Sequence, residues 1–123
     1  MDLLIKNGTI VTAKESFTAD VAVKDGKIAA IGNDLPKAGN VVDASGKLVL
    51  PGAIDVHTHL AMPFGGTVSA DDYLTGTRAA ACGGVTTVFD YPVQHAGESI
   101  FDVVNPKKKI CEKDACVDYA FHC

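Results

Sequence analysis

The 123-residue sequence contains no apolar run near the roughly 18 residues that a membrane-spanning helix requires. Its opening, Met1-Asp2-Leu3-Leu4-Ile5-Lys6-Asn7-Gly8, also lacks the basic region and long apolar stretch of a secretory signal. A cytoplasmic, reducing setting is therefore expected. Positive charge is in deficit: 11 Lys and Arg stand against 15 Asp and Glu, a formal net charge of −4. No basic surface offers itself to nucleic acid or to an anionic membrane, so the expected partner is a small molecule. The four cysteines, Cys82, Cys111, Cys116 and Cys123, include no Cys-x-x-Cys pair. In a reducing compartment they predict free, mostly buried thiols rather than a disulfide framework or a metal or redox centre. Length is short as well, because a closed eight-stranded β/α barrel takes roughly 250 residues.

What is present falls into two grammars. Up to residue 50, Asn7-Gly8, Asp25-Gly26 and Ser45-Gly46 each separate short apolar runs, and such dipeptides supply the positive φ angles of tight hairpin turns. The runs 3–6, 9–12, 20–24, 27–31, 41–44 and 47–50 therefore read as strands of a small hairpin module. Its scattered charges, among them Lys6, Lys14, Glu15, Lys24, Asp25 and Lys27, read as a solvated face with no catalytic content.

Pro51-Gly52 ends that pattern, and residues 51–123 alternate apolar strands with helical stretches, the signature of βα units on a parallel sheet. Residues 53–60 predict the first strand, followed by an irregular loop over 61–68. Ser69 with Asp72 predicts a capping box opening a helix from Ala70 to about Cys82, stopped by Gly83-Gly84. Residues 85–91, rich in β-branched and aromatic side chains, predict the second strand. After a loop over 92–97, Ile100–Val104 suggests a short helical turn. Asn105-Pro106 suggests the cap of a separate helix running to about Asp114. The alternation over 116–123 predicts a third strand.

The chemistry sits in Asp55-Val56-His57-Thr58-His59. On a strand alternate residues share a face, so Asp55, His57 and His59 point the same way and the two imidazoles can converge on one metal ion. Neutral imidazole suits zinc and similar divalent ions. A His-x-His alone is weak evidence, more often a pair of ordinary surface histidines, and a catalytic zinc usually takes three protein ligands plus water. His95 reads as a solvated loop residue, and nothing in the spacing of His122 assigns it a role.

Several motifs carry a resemblance: Leu-Ile-Lys-Asn-Gly (4–8), Asp-Ala-Ser-Gly-Lys (43–47), Pro-Gly-Ala-Ile-Asp-Val-His-Thr-His (51–59), Gly-Thr-Arg-Ala-Ala-Ala-Cys-Gly-Gly-Val-Thr-Thr (76–87) and Asp-Tyr-Ala-Phe-His (118–122). In this order they resemble the cyclic amidohydrolases, closest to the dihydropyrimidinases and D-hydantoinases, along essentially the whole chain. The resemblance implies an α/β fold: part of a β-sandwich (1–50), then the first three βα units of a TIM-like (β/α)8 metal-dependent hydrolase barrel (51–123), truncated. It implies that His57 and His59 bind the more buried ion of a two-metal centre, with two Zn²⁺ per complete site and a bridging hydroxide. The reaction implied is hydrolysis of a dihydropyrimidine or 5-substituted hydantoin ring to an N-carbamoyl amino acid.

The other ligands and proton-handling groups of that family have no counterpart within these residues, so the remaining catalytic residues are expected beyond residue 123. The loops that border the substrate's exocyclic group in the family map onto 61–68, with Met62 and Phe64, and onto 92–97. The similar dihydroorotases carry an arginine shortly after the second histidine to pair with a substrate carboxylate; here Leu60-Ala61-Met62 follows with no cation, so the resemblance favours an uncharged or apolar ring substituent. The resemblance further suggests a homotetramer. Two alternatives remain: a non-catalytic dihydropyrimidinase-related binding protein, or a scaffold fragment. Because three parallel strands leave an unpaired apolar edge, the 123 residues alone are expected to associate and to hydrolyse nothing.

Overall fold

The computed structural model describes residues 1–123, which divide into two compact units, Met1–Pro51 and Gly52–Cys123. The first is a five-stranded sheet built from β1 (Leu3–Val11), β2 (Ser16–Lys24), β3 (Lys27–Gly32), β4 (Asn40–Asp43) and β5 (Leu48–Val49). Strand β1 is central: β2 pairs with it antiparallel on one side, and β4 and β5 pair with it in parallel on the other. Ile10, Ala19 and Val21 form a buried cluster with Ile5, Val23 and Val49 against it.

Only Asp25-Gly26 is the expected hairpin turn, joining β2 to β3. Asn7-Gly8 lies inside β1 as a bulge. Asn7 takes a left-handed φ of 63°, its N–H donates to Asp20 Oδ1 at 2.9 Å and its amide nitrogen Nδ2 donates to Asp43 Oδ1 at 3.0 Å. Gly8 is required by close approach, because a Cβ there would lie 2.5 Å from Val49 Cγ2. Ser45-Gly46 does turn the chain, but β4 and β5 on either side both pair with β1 rather than with each other. The free edge of a longer strand outcompetes the local partner, which turn chemistry alone does not reveal.

The second unit is α/β. A parallel sheet, order β10-β9-β6, is made by β6 (Ala53–Thr58), β9 (Val85–Asp90) and β10 (Asp118–Phe121). Helix α1 (Tyr73–Cys82) connects β6 to β9, and α2 (Ile100–Asp114) connects β9 to β10. Leu60, Tyr73, Val88 and Cys111 form the core, with Ala80, Val85, Val117, Tyr119 and Phe121 packed on it. No helix is long and apolar enough to cross a membrane.

Here too the structure corrects several expectations. The loop over 61–68 contains a small hairpin, β7 (Pro63–Phe64) and β8 (Thr67–Val68), turned by Gly65-Gly66 at φ 58° and 82°. Helix α1 starts three residues late because Asp72, not Ser69, caps it. Asp72 Oδ1 accepts the Thr75 N–H at 2.8 Å, and Thr75 Oγ1 accepts the Asp72 N–H at 3.1 Å. Ser69 instead ties the loop by accepting the Met62 N–H at 2.8 Å. The turn at 100–104 and the helix from Pro106 are one helix, capped by Ser99 with Asp102 in a reciprocal box. Pro106 deprives only the Asp102 carbonyl of its helical donor, at a position exposed to water. The third strand is shorter than expected, ending at Phe121. All four thiols are free, but only Cys111 is buried.

Candidate metal centre

Strand β6 delivers His57 at its carboxyl end, with His59 just beyond. Asp55 Oδ1 accepts the His57 N–H at 3.1 Å, in a stretch where β6 slips register against β9 between Asp55 and Thr58. Asp55 is thus engaged with backbone. The two imidazoles do converge: His57 Nε2 and His59 Nε2 lie 3.1 Å apart, with ring centroids separated by 5.0 Å and planes inclined at 71°. One ring can donate a proton to the other across that gap, and a cation can replace the proton. With imidazole ligands about 2.0–2.1 Å from zinc, a 3.1 Å chord subtends roughly 100°, which fits two sites of one coordination sphere. The pair fits as half of a site, since no third His, Cys, Asp or Glu closes around it.

The rings are steadied from the neighbouring strand. Tyr91, directly after β9, stacks on His57 with centroids 3.9 Å apart and planes within 10°. His122, directly after β10, stacks on the other side of Tyr91 at 5.1 Å and 9°. Three adjacent strand ends therefore contribute one ring each to a continuous stack. Sequence spacing assigned nothing to Tyr91 or His122, although each follows a strand that ends beside the histidine strand. His95 lies exposed in its loop, as expected.

Beneath the pair lies a buried polar network. Asp90, at the end of β9 and fully buried, accepts the Leu60 N–H on Oδ1 at 2.8 Å. On Oδ2 it accepts the Tyr73 hydroxyl at 2.5 Å and the Lys107 ammonium at 2.8 Å. Lys107 also donates to the Leu60 carbonyl and to the Tyr73 hydroxyl oxygen, both at 3.0 Å. Burial, reinforced by the hydrogen bond to Asp90, pushes the Tyr73 hydroxyl far above its ordinary pKa, so it remains a neutral donor. Burial also pushes the Cys111 thiol up to about 11, with the Asp90 charge adding to the effect.

The two loop residues part company. Met62 is half-buried, whereas Phe64 sits on the β7–β8 hairpin with 76% of its surface exposed, too open for loop packing to explain it.

A family model described as the Amidohydrolase family matches residues 48–117. The sequence is 50% identical over 123 residues to a D-hydantoinase of Geobacillus stearothermophilus, covering 99% of this chain and 26% of that protein. It is 44% identical over 122 residues to a dihydropyrimidinase of Dictyostelium discoideum, covering 98% of this chain and 24% of that one. A crystal structure of a D-hydantoinase matches with a TM-score of 0.94 at 48% identity, over 99% of this chain and 27% of that chain. The chain thus spans about a quarter of the length of the curated relatives it matches.

Proposed function

Since the chain belongs to the amidohydrolase family, we propose that it forms the amino-terminal part of a metal-dependent hydrolase that opens a cyclic amide. The observation that carries this reading is the convergence of His57 and His59 to 3.1 Å at the carboxyl end of a parallel strand. That is the end of the sheet where β/α enzymes place their chemistry. Similarity to D-hydantoinases and dihydropyrimidinases supports a dihydropyrimidine or 5-substituted hydantoin as substrate and an N-carbamoyl amino acid as product.

In this reading residues 1–50 contribute part of a β-sandwich, and residues 51–123 contribute the first three βα units of a closed barrel. His57 and His59 hold one of two divalent ions, taken to be zinc, while further ligands come from outside these residues. Bound metal lowers the pKa of water and polarises the ring carbonyl. Tyr91 holds the His57 ring at its face. Met62 and Phe64 border the substituent of the substrate ring, and Leu60-Ala61-Met62, which contains no cation, favours an uncharged substituent. The complete protein would be a cytoplasmic homotetramer without nucleic-acid or membrane partners, and the 123 residues alone would be inactive.

The test is metal analysis of the intact polypeptide together with ring-opening assays on dihydrouracil and on a 5-substituted hydantoin. About two divalent ions per chain and hydrolysis of one ring class are expected, with both reduced in His57→Ala and His59→Ala. Fewer than about one ion per chain, with neither ring opened, would overturn the enzyme reading in favour of a dihydropyrimidinase-related binding protein.

A further inference from the structure

We infer that Asp90 and Lys107, oriented by Tyr73, are positioning residues for the histidine pair, acting through the backbone of Leu60; the inference rests on the metal-centre reading above. The ladder between β6 and β9 ends with the Tyr91 N–H donating to the Thr58 carbonyl at 3.0 Å. Past that point no strand pairs with His59 or Leu60, yet His59 must be held as firmly as His57 for their nitrogens to share an ion. Side chains take over from the ladder. Asp90 accepts the N–H of Leu60, which belongs to the peptide unit joining His59 to Leu60, and Lys107 donates to the Leu60 carbonyl.

The stoichiometry of the network fixes its shape. Lysine has three ammonium hydrogens, and Lys107 has three acceptors: the Leu60 carbonyl, the Tyr73 hydroxyl oxygen and Asp90 Oδ2. No buried side-chain nitrogen or oxygen is left without a partner. The three residues come from three different elements, β9, α1 and α2, so the end of the histidine strand is referenced to all of them. Asp90 carries a further link, since its own carbonyl accepts the His122 N–H at 3.0 Å.

Stability alone does not call for such a pair. The Lys107 side chain is only 15% exposed and Asp90 not at all, and apolar residues of similar volume usually replace a buried ion pair without loss. What apolar packing cannot supply is direction at a backbone N–H and C=O. Outer partners that orient metal ligands typically change metal affinity by about 10–100-fold when removed, and here the same duty is exercised through the main chain.

The experiment uses the intact polypeptide, stripped of metal and titrated with Zn²⁺ and with Co²⁺, whose visible spectrum reports ligand geometry. Lys107→Met keeps the aliphatic stem and removes the Leu60 carbonyl donor, and Asp90→Asn removes the charge. Both should weaken metal binding about 10–100-fold and alter the Co²⁺ spectrum. Tyr73→Phe removes the hydroxyl that orients both side chains but neither contact to Leu60, so it should weaken metal binding less than Lys107→Met does.

The double variant Asp90→Asn/Lys107→Met removes both charges together. Its melting temperature should recover towards the parent, and its metal affinity should not. That split separates positioning from a structural role, and it decides the matter even where a single variant fails to fold. Parent-like affinity and Co²⁺ spectrum in the double variant would overturn the inference. A parent that takes up no metal would instead overturn the metal-centre reading itself, and the positioning role with it.

Discussion

Gly52→Ala is expected to destabilise the strand that carries the histidines, and the geometry gives the size of the effect. A Cβ at residue 52 would stand 2.1 Å from Thr86 Oγ1, 2.3 Å from Cγ2 and 2.7 Å from Cβ. Rotation about χ1 moves the hydroxyl and methyl of Thr86 but leaves its Cβ in place, so no rotamer relieves the contact. Thr86 is also the residue that the ladder skips, because Ala53 pairs with Val85 and Ile54 with Thr87. The two strands must therefore separate where the Ala53 N–H donates to the Gly84 carbonyl at 2.9 Å. Overpacking of this kind costs about 1–3 kcal/mol, and a backbone shift belongs at the upper end. At roughly 2–4 °C per kcal/mol for a domain of about 150–250 residues, a fall in melting temperature on the order of 5–10 °C should appear in thermal denaturation of the intact polypeptide. Adding Thr86→Ala should help only in part, since it removes the Oγ1 and Cγ2 contacts but leaves the Cβ at 2.7 Å. Adding Thr86→Gly should recover most of the loss, apart from the roughly 0.5–1 kcal/mol that glycine costs within a strand. A Gly52→Ala protein melting within about 1 °C of the parent, or rescue by Thr86→Ala equal to that by Thr86→Gly, would refute the reasoning.

Two further outcomes follow from the site and its core. Tyr91→Ala removes the face on which His57 stacks; a stacked pair is worth about 0.5–1.5 kcal/mol, so metal affinity measured by calorimetry should fall about twofold to tenfold, and an unchanged value would deny Tyr91 any part in holding the ring. Because the folded-state pKa of Cys111 is raised to about 11, its contribution is complete below the ordinary thiol range near 8.5 and is lost as pH rises towards 11. Cys111→Ala should accordingly flatten the decline of the denaturant midpoint between about pH 9 and pH 11, and an equally steep decline in the variant would show that the thiol does not set it.

How far the sequence reached depended on whether the deciding physics was local. Residues 85–91 read as a strand because β-branched and aromatic side chains favour one wherever they are placed, and Asp25-Gly26 turned as expected because its partners flank it. The His-x-His spacing carried its own geometry, for alternate strand positions face the same way. Asn7-Gly8 has the same turn chemistry as Asp25-Gly26, yet its surroundings are set by Asp20 and Asp43, 13 and 36 residues away in sequence, and it became a bulge. Lys107 was hidden differently. In Pro106-Lys107-Lys108-Lys109 three lysines look alike, and only the phase of a helix starting at Ile100 places one of them on the stripe with Val103, Val104 and Cys111. Starting that helix at Pro106 removes the turn that would have made a lysine on an apolar stripe conspicuous.

The same contrast explains why the histidine pair and its support differ so much in legibility. His57 and His59 are exposed side chains on a strand end, and exposed imidazoles retain rotamer freedom that must be given up when a cation binds. That cost falls if the rings are already held, and the structure holds them twice: from the side by the Tyr91 ring, and from behind by the Leu60 backbone tied to Asp90 and Lys107. A motif of two histidines can recur by chance in any strand. A buried lysine with three acceptors, an aspartate with three donors and a tyrosine between them require three elements to meet, so on the proposed reading what sets this pair apart from a chance motif is less the histidines than what fixes the chain immediately after them.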